Sequence, residues 1–285
     1  MDQAQGLRQL AGARRARVIA VTSGKGGVGK SNLALNLGLA LHDLGVSVLI
    51  IDADLGLANI DVLLGASAPY HLGHVRRGEK HLEDVVYSDP SGLRIIGGGS
   101  GIPELLNVTR GAMAVLLREI ARLESMVDVV LVDTGAGLGA TVQAFLQAAD
   151  EVVLVSTPEP TALTDGYVVL RELWRSMGGV TPRLVINRAQ GVREAEAAAR
   201  ALTVTCQRFL GAQLPLWGFI PEDAAVSRAV RAQVPFLRLT PRSPAALKVR
   251  ELAGSIAGLP LGSRPAGLLH FVDRVLRRTA QEAMR

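Results

Sequence analysis

The stretch Arg17-Val18-Ile19-Ala20-Val21-Thr22-Ser23-Gly24-Lys25-Gly26-Gly27-Val28-Gly29-Lys30-Ser31-Asn32 runs from a short β-branched apolar strand into a glycine-rich turn, and from Leu33 onward the chain takes up the apolar spacing of a helix. Strand, GxxxxGK[ST] loop and helix together make a complete phosphate-binding loop in the context such a loop needs. The glycines let successive backbone N–H groups turn inward around phosphate oxygens, and the start of the following helix adds the positive end of its dipole. Gly24, Gly26, Gly27, Val28, Gly29 and Asn32 are therefore candidate nucleotide contacts. Lys30 is placed to neutralise β- and γ-phosphates, and Ser31 to ligate Mg²⁺. Only four lysines occur in the chain, and two of them, Lys25 and Lys30, lie in this loop.

Outward from the loop, short apolar runs alternate with longer helical patterns. Arg17 to Val21, Val46 to Ile51, Leu93 to Ile96, Val127 to Val132, Glu151 to Val155, Arg183 to Ile186 and Leu214 to Phe219 read as strands. Asn32 to Leu44, Arg110 to Glu124, Leu163 to Met177, Arg193 to Leu210 and Ala224 to Ala232 show helical spacing. The strands are nearly continuous apolar runs, as expected when helices cover both faces of a sheet. This rhythm predicts an α/β fold: a doubly wound, mostly parallel sheet of about seven to eight strands flanked by helices. Residues 18–257 form the nucleotide-binding domain. Residues 1–17 form a tail, 258–267 a Gly/Pro-rich linker, and 268–285 a final helix.

Composition removes several classes of function. With 48% hydrophobic and 20% charged residues among 285, the chain has enough apolar mass for a core and is neither disordered nor fibrous. A single cysteine, Cys206, leaves no internal disulfide and no multi-cysteine metal site. His71, His74 and His81 lack a metal-ligand arrangement, and neither Ser23 nor Ser31 has the His and acid partners of a nucleophile. No run approaches the roughly 18 apolar residues of a membrane span, so the expected location is the cytoplasm. The net charge of +5 sits at the ends. Residues 1–17 hold four Arg against Asp2, and residues 260–285 hold five Arg against Asp273 and Glu282, which leaves 22 basic and 23 acidic residues between. That near-neutral middle gives no reason to expect specific nucleic-acid binding.

A metal-bound triphosphate needs carboxylates near its metal and its attacking water, and the carboxyl ends of strands supply them. Asp52 and Asp54 end the second strand in Ile50-Ile51-Asp52-Ala53-Asp54, and Asp133 ends Val130-Leu131-Val132-Asp133. With the extra Lys25 in KGGVGKS, these segments resemble the MinD/ParA class of P-loop ATPases with a deviant Walker A loop. The resemblance implies that Lys25 reaches across an ATP-bound homodimer to the partner's phosphates and stabilises transferring charge. It implies that Asp54 orients the hydrolytic water, that Asp52 supports the metal shell and that Asp133 acts through metal-bound water. Asn187, past the strand Arg183 to Ile186, and the loop Pro221-Glu222-Asp223 match the family's adenine-contacting segments; a turn-forming Asn and Pro would look the same. The implied cofactors are ATP or ADP with Mg²⁺, and the implied activity is a slow ATPase stimulated by dimerisation, partner or lipid.

Asp52-Ala53-Asp54-Leu55-Gly56-Leu57-Ala58-Asn59, Gly97-Gly98-Gly99-Ser100-Gly101-Ile102, Asp133-Thr134-Gly135-Ala136-Gly137-Leu138 and Thr157-Pro158-Glu159-Pro160-Thr161-Ala162-Leu163-Thr164-Asp165 narrow the resemblance to the FlhG family, also called FleN or YlxH. Its members set the number and placement of bacterial flagella. Asp2-Gln3-Ala4-Gln5-Gly6-Leu7-Arg8 is similar to the element with which such proteins stimulate the signal-recognition-particle-type GTPase FlhF; on that resemblance Asp2, Gln3, Ala4, Leu7 and Arg8 are partner contacts. A flagellar transcriptional activator and a basal-body protein are further partners the family suggests. In the final helix, Leu268, Leu269, Phe271, Val272, Val275 and Leu276 fall within an arc of roughly 160°, with Arg274, Arg277 and Arg278 opposite. A basic amphipathic helix of this kind suits an anionic membrane surface, reached in the ATP-bound dimer and near flagellated sites; docking on the protein's own core is the alternative. Two other functional readings stay open: a division-site or DNA-partitioning ATPase of the same fold, and a nucleotide-binding adaptor with negligible turnover.

Overall fold

The computed structural model describes residues 15–54, 59–66, 69–70, 74–75, 79–97, 119, 122–177, 182–258 and 266–282. The partner segment from Asp2 to Arg8, most of the helical pattern from Arg110 to Glu124, most of the Gly97 to Ile102 motif, Leu55 to Ala58 and residues 259–265 of the expected linker lie outside the described residues.

Eight strands form one sheet: β1 (Arg17–Ser23), β2 (Val48–Ala53), β3 (Tyr87–Ser88), β4 (Arg94–Ile96), β5 (Val129–Ala136), β6 (Glu151–Ser156), β7 (Arg183–Ala189) and β8 (Leu216–Pro221). Their order is β3-β4-β2-β5-β1-β6-β7-β8. Every pair is parallel except β3 with β4. The helices are α1 (Lys30–Asp43), α2 (Asn59–Leu64), α3 (Leu82–Val85), α4 (Ala140–Ala148), α5 (Pro160–Met177), α6 (Val192–Leu210), α7 (Ala224–Ala232), α8 (Phe236–Leu239), α9 (Pro244–Gly258) and α10 (Leu268–Glu282).

Successive strand residues point to opposite faces, which explains why the strands read as unbroken apolar runs. Val18 and Ala20 of β1, with Val130 and Val132 of β5, enter a core with residues of α4, α5, α6 and α10. Ile19 and Val21, with Val129 and Leu131, enter the opposite core with residues of α1, α8 and α9. Strand order reverses about β1: β5, β2, β4 and β3 lie on one side and β6, β7 and β8 on the other. A crevice opens at the carboxyl ends of the strands where such a reversal occurs, and the loop that follows β1 lies there.

The last helix is not free. Leu268, Phe271 and Val275 are buried in the core cluster, and Leu269 and Val272 are partly buried against it. Phe271 stacks on Phe145 of α4 with ring centroids 6.0 Å apart. The Glu124 carboxylate accepts hydrogen bonds from the N–H groups of Leu268 (2.8 Å) and Leu269 (3.3 Å), and Asp150 accepts from Ala266 N–H at 2.8 Å. These carboxylates satisfy donors that a helix start leaves open. In this structure the apolar arc covers α4, the docked arrangement that the sequence left as the alternative to a membrane surface. Among the described residues no helix is long and apolar enough to cross a membrane.

Candidate nucleotide site

The loop after β1 closes tightly because two of its glycines have no room or no conformational alternative. Gly29 has φ +90°, and a Cβ there would collide with the Asn187 amide. Gly24 lies against the backbone at Asp165 and Gly166 of α5, where a Cβ would clash with main chain that cannot yield. Asn187 Nδ2 donates to Val28 O at 2.7 Å, so a residue near the end of β7 braces the loop directly. The bond uses one amide hydrogen and leaves the side-chain oxygen as an acceptor.

The two loop lysines have different surroundings. Lys30 is buried, and its Nζ donates to Asp133 Oδ1 at 2.7 Å. Lys25 points outward: its Nζ lies 3.2 Å from Glu159 Oε2 and 3.1 Å from Thr161 Oγ1, with 42% of the side chain exposed. Glu159 and Thr161 belong to the segment ahead of and entering α5, to which the sequence reading gave no individual role.

The acids gather at the ends of β2 and β5, where Asp52 and Asp133 are directly paired in register. Asp52 accepts from Asp54 N–H and Ile60 N–H, both at 3.1 Å. Asp54 Oδ2 accepts from Asn59 Nδ2 at 3.0 Å, so α2 begins on the acid expected to orient water. Burial, helped by the neighbouring Asp133 carboxylate, pushes Asp52 up to about 7. Burial also raises Asp133, against the opposing pull of the Lys30 ammonium and a hydrogen bond with Ser31. Asp133 Oδ2 is buried without a hydrogen-bond partner. An orphaned, buried carboxylate oxygen beside Ser31 and a second carboxylate fits a hydrated divalent cation, and Mg²⁺ prefers to keep most of its waters.

Beside the loop a cavity of about 320 Å³ is lined by, among others, Gly27, Gly29, Asn32, Asn187, Pro221, Glu222 and Asp223. The sequence-derived candidates from three separate segments therefore meet in one pocket. Leu33, Val226, Phe236 and Val249 add an apolar wall, and Arg188 stands at the pocket with Glu222. These were not legible as site residues, except that Arg188 directly follows Asn187 at a strand end. The Asp223 carboxylate is already committed: it accepts from Ala225 N–H (2.8 Å) and Ala245 N–H (3.1 Å), joining the starts of α7 and α9.

A glycine-rich loop between a parallel strand and a helix, a buried lysine on a strand-end aspartate and an adjoining base-sized cavity define a P-loop nucleoside triphosphatase. Comparison with known proteins agrees. Residues 14–257 match the ParA family model, described as "NUBPL iron-transfer P-loop NTPase". The chain is 39% identical to the antiactivator FleN of Pseudomonas aeruginosa over 96% of this chain and 98% of that one. It is 35% identical to the flagellum site-determining protein YlxH of Helicobacter pylori, over 92% and 90%. Among solved structures, the cell-division ATPase MinD of Pyrococcus furiosus superposes with a TM-score of 0.67 at 29% identity, over 86% of this chain and all of that one. The septum site-determining protein MinD of Pyrococcus horikoshii, solved with Mg-ADP, gives 0.67 at 28% over 85% and 96%.

The chain belongs to the FlhG (FleN/YlxH) family of MinD/ParA-type P-loop ATPases, and ATP with Mg²⁺ is its substrate and cofactor. Thiolate ligation of an iron cluster has no set of cysteines in this sequence: Cys206 is the one cysteine, it is buried, and burial pushes its thiol up to about 11.

Proposed function

We propose that this protein is an ATP-driven dimerisation switch that regulates flagellar number and placement. The observation that carries the proposal is the division of labour between the loop lysines: Lys30 is buried beside Asp133, whereas Lys25 is partly exposed and, among the described residues, its Nζ meets Glu159 and Thr161. A cation so placed can serve a nucleotide in a facing copy, where it stabilises charge on the transferring phosphoryl group. Asp54 orients the attacking water, Asp52 and Asp133 hold the hydrated metal with Ser31, and Asn187 with the Pro221-Glu222-Asp223 loop receives the base. Mg²⁺, when bound, neutralises charge on the β- and γ-phosphates.

In the nucleotide-triphosphate dimer α10 leaves α4, and its apolar arc enters an anionic cytoplasmic membrane surface. Two copies bind far better than one because the second insertion is effectively intramolecular. The segment from Asp2 to Arg8 stimulates an FlhF-type GTPase, and hydrolysis resets the system to the docked monomer.

GTP hydrolysis by such a GTPase, measured alone, with the full chain and with a Leu7→Ala/Arg8→Ala variant, tests the flagellar assignment. Stimulation by the full chain and its loss in the variant are expected. Equal rates in all three reactions would transfer the switch to division or partitioning.

A further inference from the structure

Strands β7 and β8 lose register at the rim of the pocket: Asn187 pairs with Ile220 and Ala189 with Pro221, so Arg188 is the extra residue of a bulge. Its φ is +60°, and among the described residues only Gln233 shares a positive φ without being glycine. A bulge re-aims a side chain, and a left-handed backbone at a bulky residue persists only where surrounding structure enforces it. Here the enforced conformation brings Arg188 Nε to 2.8 Å from Glu222 Oε2, while Glu222 N–H donates to Ala189 O at 2.8 Å. Both side chains line the cavity beside the phosphate loop, and each remains about half exposed, Arg188 at 50% and Glu222 at 49%.

An exposed ion pair adds little to stability, so strain in the backbone is not explained by folding alone. Its chemical effect on the pocket is larger. An unpaired carboxylate on the rim of a purine pocket would accept the N1–H and 2-amino groups of guanine together, in charge-assisted bonds. Adenine offers a ring-nitrogen acceptor at that edge and gains nothing from a carboxylate. Asn187, with its amide nitrogen bonded to Val28 O, has an oxygen free for the 6-amino group of adenine and unsuited to the 6-oxo group of guanine.

We infer that Arg188, by occupying Glu222, is a specificity-determining residue that keeps this pocket selective for adenine over guanine nucleotides. The selectivity works by removing an attraction to the wrong base as well as by favouring the right one. The inference rests on the reading of this cavity as the base pocket, and the experiment separates the two.

Equilibrium dissociation constants for ADP and GDP are measured on the wild-type chain, on Arg188→Gly and on Arg188→Gly/Glu222→Ala. Glycine is chosen because it adopts φ +60° without strain, so the variant keeps its fold, which a melting curve verifies. The expected result is a roughly tenfold rise in relative affinity for GDP in Arg188→Gly, reversed in the double variant. An equal change in ADP and GDP affinity in Arg188→Gly would overturn the selectivity role while leaving the cavity as the base site. An increase that persists in the double variant would also overturn it, because Glu222 would not be the group read by guanine. Unchanged affinity for both nucleotides in both variants would overturn the base-pocket reading and the inference with it.

Discussion

Asp52 shows at the scale of one side chain how burial shapes the proposed metal site. Its carboxyl is raised from 3.8 to about 7 by burial and by Asp133, so protonation persists well above the ordinary carboxylate range. A raised acid makes the folded state bind more protons than the unfolded one. Its stabilising effect is full below 3.8 and is lost as pH rises through about 7. The nucleotide-free, Mg²⁺-free protein should therefore melt at higher temperature at pH 5.5 than at pH 8, and Asp52→Asn should reduce that difference and weaken Mg-ADP binding. Identical slopes in the two proteins would show that Asp52 does not titrate in this range. Gly29 gives a second prediction at this scale. Its φ of +90° and the Asn187 amide beside it leave no room for a methyl group, so Gly29→Ala should lower ADP affinity at least about a hundredfold, as expected where a strained backbone and a steric clash coincide. Calorimetric titration with ADP reads the loss.

Among the elements, the most informative contact is that of α10 with α4. Glu124 accepts from two N–H groups at the start of α10 and is itself raised by burial. Glu124→Ala removes a cap worth about 1 kcal/mol, which should speed amide exchange in residues 268–276 roughly fivefold if docking and undocking set that exchange. Unchanged exchange would mean that the apolar contacts of Leu268, Phe271 and Val275 alone hold the helix. The sequence showed the apolar arc but not its partner, because an arc of roughly 160° fits a lipid surface and a protein core equally well. The two-residue strand β3 was illegible for a different reason: Tyr87 and Ser88 are too few to display a period. The alanine- and glycine-rich α9 has a weak apolar contrast, and periodicity did not single it out. The phosphate loop and the strand-end aspartates were legible because phosphate and metal chemistry demands fixed residue types at fixed spacing. Arg188 was not, since a bulge with left-handed backbone is set by how β7 meets β8 rather than by local sequence.

For the whole molecule, the functional candidates gather at one end of the sheet. The P-loop, the strand-end acids, Lys25 and the cavity beside the loop all lie at the carboxyl ends of the strands, and the Lys25 side chain is 42% exposed. In the proposed dimer a second copy meets that end, and each Lys25 serves the other's nucleotide. Asp54→Ala should trap the triphosphate-bound dimer by removing the group proposed to orient water, whereas Lys25→Ala should prevent formation of a hydrolysis-competent dimer. Vesicles rich in anionic lipid should retain Asp54→Ala with ATP and release it with ADP; equal retention in both would separate membrane binding from the nucleotide state. The most direct measurement is the mass of the Asp54→Ala protein by sedimentation equilibrium in Mg-ATP and in Mg-ADP, with the Asp54→Ala/Lys25→Ala double variant alongside. A dimer is expected only for Asp54→Ala in ATP, and a monomer in the other cases. A monomer in ATP, or a dimer that survives loss of Lys25, would contradict the proposed switch.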